Sequence, residues 1–255
     1  MIVTSPNIAL FYTINNNLVL LAKKRSYKNN FMLASITAVT AGMTNVAGAM
    51  ACYLFTANVT GHVANFAQHL LRDKWFEMLT ALAALSMFFL GAFVASFLAR
   101  SFEHKGAYKA FALPFIIEII MLVLIGLYGM ANNNQAEYYT ELLAAGLLFS
   151  MGLQNSIVTV ITGGSIKTSH MTGLFTDLGA ELAEWLHPNT PKSYALKNKL
   201  RLRITILANY VFGGLVGGII FIQYNFIAFF CIALLLLYVL LYDVIKGWQQ
   251  PKPIE

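Results

Sequence analysis

Charge is what this sequence has least of. Only 11% of its 255 residues are charged, against 58% hydrophobic, whereas soluble domains carry roughly 25% charged residues. The mean hydropathy of +0.65 agrees. This scarcity excludes a disordered chain and a nucleic-acid reader with a broad basic face. Cysteine is almost as rare. Cys52 and Cys231 each stand inside an apolar run, which excludes a disulfide-stapled secreted domain and reads as two small core side chains. A P-loop, a dinucleotide fingerprint, a nucleophile–base pair and a zincin motif are also missing. No cofactor is therefore implied. The alternating pattern of a membrane barrel is absent as well.

What is present is apolar length. A bilayer core about 30 Å thick needs roughly 20 mostly apolar helical residues per crossing. Six stretches meet that standard: 31–56, 76–99, 110–131, 142–163, 204–222 and 224–245. Runs such as Phe226 to Leu241 are apolar on every helical face, so the spans read as helices. The fold class is an all-α integral membrane protein, with no sequence left over for a large soluble domain.

The bases set its orientation. With a cytoplasmic N-terminus, fifteen of seventeen Lys and Arg fall on the cytoplasmic side, and only Arg72 and Lys74 fall outside. The connection from Asn132 to Glu141 carries acids and no bases, as an external loop should under the positive-inside rule. Both termini are expected in the cytoplasm. Residues 1–30 break into apolar pieces interrupted by asparagines and lead into a basic cluster. They read as a cytoplasmic or interfacial segment, not as a cleaved signal peptide.

The two halves repeat. Gly42–Asn45 (GMTN) matches Gly152–Asn155 (GLQN) at an offset of 110, and Asn58–Gly61 (NVTG) matches His170–Gly173 (HMTG) at 112. Gly91–Ser96 matches Gly213–Gly218 at an offset of 122. Each half, 31–131 and 142–245, carries three predicted spans, with 246–255 as a short cytoplasmic tail. An odd number of spans makes the second repeat cross in the opposite sense. Inverted repeats of this kind recur in secondary transporters, which bind at the repeat interface near the midplane.

The string GLQNSIVTVITGGSIKTSHMTGLFTDLGAEL, with FTANVTG in the first half, resembles the YoaK-like family of uncharacterised bacterial membrane proteins over roughly residues 31–245. The first half departs from the family pattern at Asn45, where Asp is common, and at His62, where Asn is common. The resemblance implies a multi-pass protein of the inner membrane and no particular activity.

Each TG pair precedes a short amphipathic segment, 61–72 or 173–186. Thr60 and Thr172 offer a hydroxyl near a helix start, and Gly61 and Gly173 let the backbone turn or approach a ligand. Two re-entrant helices would aim their free N–H groups and positive dipole ends at the midplane, where they would favour an anion. The plainer alternative is a pair of interfacial helices. Asn45, Asn58, Asn155 and His170 would line such a site. Asn45, Gln154, Asn155 and Asn209 lie within spans, where amides seek partners on other helices.

Glu118 is an isolated acid in the third span. At that depth it faces the bundle interior, as a proton carrier or as a neutral acid bonded to a neighbouring helix. His170, Asp177 and Glu181 fall on one helical face. They read as metal ligands or, more simply, as the wet side of that helix. Gly213, Gly214, Gly217 and Gly218 make a small-residue surface suited to packing between the halves, or else to a homodimer.

The leading reading is a transporter or permease for a small, preferentially anionic solute, bound at the repeat interface, with Glu118 carrying a proton. The bilayer and the solute are its expected partners, and nucleic acid is not. An intramembrane metal-dependent enzyme is the first alternative, marked by the His170 cluster. A membrane scaffold or partner subunit is the second, although short loops and a six-residue tail after Gln249 offer it little surface.

Overall fold

A computed structural model describes residues 27–102, 107–131, 137–162 and 168–248. The expectation for residues 1–30 falls almost wholly outside this range. Eight helices account for nearly all of the described residues: α1 (Tyr27–Cys52), α2 (Val59–Leu71), α3 (Trp75–Phe102), α4 (Ala107–Ala131), α5 (Glu137–Ile161), α6 (Met171–Leu186), α7 (Tyr194–Tyr224) and α8 (Ile227–Trp248). Five of them, α1, α3, α4, α5 and α7, are long and apolar enough to cross a membrane, and α8 adds a shorter apolar stretch, Ile227–Tyr242.

The bundle is built with its polar residues inside. α1 and α5 are the least apolar of the five long helices and the most buried. They supply Thr37, Thr40, Thr44, Ser150, Gln154 and Asn155 to the interior. Around them, Phe89, Phe93 and Phe97 of α3 and Phe212, Leu215 and Ile219 of α7 face outward. Apolar side chains turned out and hydroxyls turned in suit a solvent of acyl chains.

α1 and α5 run in opposite directions. The Gln154 amide nitrogen donates to Thr40 Oγ1 at 2.7 Å, and two turns along Gly48 faces Leu147. Gln154 thus bonds across helices, as expected of a buried amide. The same register sets Gly42 level with Gly152.

Each central helix then packs along a helix of the other half, α1 on α7 and α5 on α3. The two crossings match contact for contact. A methyl on Gly213 would strike the Val39 carbonyl, and one on Gly91 would strike that of Phe149. Gly42 presses on the Tyr210 carbonyl just as Gly152 presses on that of Phe88. Glycine is needed here because backbone meets backbone. The glycine surface is therefore used within one chain, between its halves.

Helix boundaries differ from the sequence reading where local chemistry intervenes. The first span, expected to reach residue 56, stops at Cys52, where Tyr53 adopts a φ of 54° and turns the chain back. The fifth begins ten residues early, at Tyr194, because the Ser193 hydroxyl accepts from Leu196 N–H at 3.1 Å and caps it. Asp73 and Asn225, both at positive φ, turn the chain between α2 and α3 and between α7 and α8. Short polar side chains tolerate that region best.

Candidate solute site

Behind Cys52 the chain doubles back on α1. The Asn45 side-chain oxygen accepts from Ala57 N–H at 2.9 Å and lies 3.3 Å from Thr56 Oγ1. Asn45 stands seven residues before the helix end, about 10 Å down its axis. The loop therefore returns deep along the helix before α2 begins. The second half repeats the arrangement, with Asn155 of α5 accepting from the hydroxyl of Ser169. Asn45 and Asn155 thus bind their own downstream loops; Asn45 also bonds Tyr210 of α7, as an amide within a span is expected to, whereas for Asn155 the expected partner on another helix is replaced by Ser169 of its own loop. An amide one turn or more short of the helix end is well placed to satisfy a loop donor that buried water would otherwise have to serve.

The short helices start from these loops. α2 is capped by Asn58, whose side chain accepts from Gly61 N–H at 3.1 Å. α6 starts at His170, which makes no side-chain cap bond. Thr60 and Thr172 lie inside the first turns, so the capping role read for them from sequence passes to Asn58 in the first half. His62, buried, brings Nε2 within 3.2 Å of the Phe55 carbonyl and ties the first turn of α2 to its loop.

Both helix starts open into one cavity of about 680 Å³. Its walls come in pairs set at the repeat offsets: Asn45 with Asn155, Ala57 with Ser169, Asn58 with His170, Val59 with Met171, Thr60 with Thr172, and Phe88 with Tyr210. Gly173 and Phe55 complete the lining. Seven of the eight residues expected to bind solute are thereby brought together. Gly61 is the one outside the wall. Along the axis of α1 and α5, Asn45 and Asn155 stand about 9 Å apart, on opposite sides of the level shared by Gly42 and Gly152.

Sequence reasoning missed Phe55, Ser169, Phe88 and Tyr210. The last two look like ordinary span residues. Their separation of 122 equals the offset of the glycine match and was the signal available.

Glu118 lies elsewhere, in α4, only 1% exposed, and its Oε2 has no hydrogen-bond partner among the described residues. Gln154 Oε1 is likewise buried without one. The metal reading is corrected. Among the described residues no group of three ligating side chains forms. Asp177 Oδ2 and Glu181 Oε2 instead grip Arg203 of α7, at 2.9 Å and 2.7 Å. A guanidinium between the two carboxylates offsets about half of their charge and occupies oxygens a cation would use. His170 faces the cavity.

A second cavity, about 440 Å³, lies between the end of α1 and the starts of α3 and α5. It is mainly apolar, with Thr80, Thr140 and Glu141 on its wall.

Residues 33–242 match the model of a family described as Protein of unknown function (DUF1275). No curated protein and no solved structure matches the chain.

Proposed function

This chain belongs to that family of unknown function, DUF1275, and we propose that it is a membrane permease for a small solute, built from two inverted repeats around the paired cavity. One observation carries the reading: six pairs of wall residues come from corresponding positions of the two halves. Duplicated sequence that meets itself at a single cavity, at the starts of two broken helices, is the construction of transporters with inverted repeats. The antiparallel α1 and α5 support the inverted sense. In this reading α8 is a sixth crossing, and both termini are cytoplasmic by the positive-inside count. The cavity lies near the midplane.

The test has two stages. A thermal-stability screen finds the solute, since a ligand at 100 times its dissociation constant stabilises by about 2.7 kcal/mol. Uptake of that solute into proteoliposomes then falls at least tenfold in the Thr60→Val, Thr172→Val double variant, whose folding is unchanged because both side chains are exposed at the cavity. Undiminished uptake in that variant rejects the site.

Glu118 is the proton carrier in this scheme. A carboxyl buried within a span, with one oxygen lacking a partner among the described residues, marks a functional position. Glu118→Gln keeps shape and neutrality, so its melting temperature stays within a few degrees of the parent. Uptake driven by a pH gradient drops at least tenfold, while exchange without a gradient persists. Full proton-linked uptake in Glu118→Gln removes the residue from the mechanism.

A further inference from the structure

We infer that Glu118 and Gln154 share one proton: Glu118 Oε2 carries it and donates it to Gln154 Oε1, which makes Gln154 the positioning residue for the coupling proton. The inference rests on Glu118 being the proton carrier of the proposed permease.

Two acceptor oxygens lie inside the bundle without a donor. Among the described residues neither Glu118 Oε2 nor Gln154 Oε1 has a hydrogen-bond partner, and the two residues are 1% and 0% exposed. A buried polar atom left unpaired is costly, so each orphan calls for a donor.

The register of α4 on α5 brings the two together. The rings of Tyr128 and Tyr139 lie 6.0 Å apart, and further along Gly146 faces Met121 and Ile125. The helices are therefore antiparallel. Glu118 shares a face of α4 with Met121 and Ile125, while Ser150 and Gln154 follow Gly146 along α5 in steps of four. Carried on, this register sets Glu118 about level with Ser150, and Gln154 one turn beyond. Side chains on a helix lean toward its N-terminus. In an antiparallel pair the Glu118 carboxyl then leans toward Gln154, and the Gln154 amide leans back toward Glu118.

The hydroxyls at this level have already spent their hydrogens. Thr40 Oγ1 donates to the Thr37 carbonyl at 3.1 Å, Thr44 Oγ1 to that of Thr40 at 2.9 Å, and Ser150 Oγ to that of Gly146 at 2.9 Å. Two facing acceptors thus lack one donor between them. A protonated carboxyl is a donor, so a single proton on Glu118 Oε2 satisfies both oxygens at once.

Gln154 also joins this proton to the rest of the machine. Its amide nitrogen holds Thr40 of α1 at 2.7 Å, and its neighbour Asn155 stands on the wall of the paired cavity. A shift of α5 along α1 that breaks the Thr40 bond would swing the amide oxygen away from Glu118 and free the proton. Solute and proton are then sensed within one turn of α5.

Infrared difference spectra of the purified full-length chain, parent minus Glu118→Gln, test this at neutral pH in light and heavy water. The parent shows the carbonyl stretch of a protonated carboxyl, and heavy water shifts it. Gln154→Leu moves that band to higher frequency, as for an acid that has lost its acceptor, whereas Ser150→Ala, which removes the nearest rival oxygen, leaves it in place. Gln154→Met gives the same reading should the leucine variant fail to fold. Melting supplies a second readout. Glu118→Leu melts below Glu118→Gln, whose amide still donates to Gln154 Oε1, and the gap closes when Gln154 is also leucine. Absence of the band means that Glu118 is ionised and overturns the inference. A band that stays put in Gln154→Leu, or moves in Ser150→Ala, overturns the role of Gln154. The expected spectra without any flux in proteoliposomes support the shared proton and sink only the permease reading.

Discussion

Gly42→Ala and Gly152→Ala are each expected to destabilise the bundle by about 3 kcal/mol or more, the upper range for an overpacked core. In each case the added methyl meets a carbonyl of a crossing helix, Tyr210 or Phe88, and not the yielding tip of a side chain. Relief requires α1 to move off α7, or α5 off α3. These are the two most extensive helix contacts among the described residues. The cavity suffers with the fold, because Tyr210 and Phe88 also form its walls. Gly179→Ala is the control. It is exposed on α6 with nothing within 4 Å of the new methyl, and it should gain about 0.5–1 kcal/mol from helix propensity. The comparison is made by heating detergent-extracted protein and measuring the fraction that remains monodisperse. Equal survival of Gly42→Ala, Gly152→Ala and the parent would mean that the two crossings are looser than described.

Those glycines are also the clearest case of structure legible in sequence. Gly42, Gly152, Gly91 and Gly213 stand out because the matched segments of the two halves carry the same residue where the same backbone contact recurs. The TG segments and paired asparagines are legible for the same reason. Their bonding partners are not. That Asn45 reaches its own loop as well as Tyr210 of α7 depends on Tyr53 turning the chain back, and tyrosine is a residue that seldom signals a positive φ. Thr60 and Thr172 resemble caps, yet Asn58 lies two positions earlier and closes the helix first. An Asn offers the same geometry as a Thr and is at least as good a cap. The acids of α6 resemble metal ligands because spacing along one helix is visible, whereas the arginine that binds them, 22 residues beyond Glu181, is not.

Removing that arginine should free α6 selectively. In Arg203→Met, Asp177 and Glu181 lose the cation that holds them and are left facing α7 as two like charges one turn apart. Breaking a fully buried pair costs about 3–5 kcal/mol. Here the Arg203 side chain is 22% exposed and that of Asp177 is 42% exposed, so solvent screening reduces the loss to about 1–2 kcal/mol. Amide exchange across Met171–Leu186 should then rise roughly tenfold or more, reporting easier local opening. Arg203→Lys should recover only part of this protection, because one ammonium cannot reproduce a fork that gives Nη1 to Asp177 and Nε to Glu181. The first half provides an internal reference: Asn65, His69 and Ala81 stand where the second half has Asp177, Glu181 and Arg203. α2 has no equivalent of this clamp, and its exchange should stay unchanged in Arg203→Met. Unaltered protection of α6 would mean that burial of Leu174, only 1% exposed, holds the helix without the ion pairs. Selective loss would mean that the two short helices are held by different forces. In a permease that alternates between its two sides, α6 would then need a charged latch to break before it could move, and α2 would not.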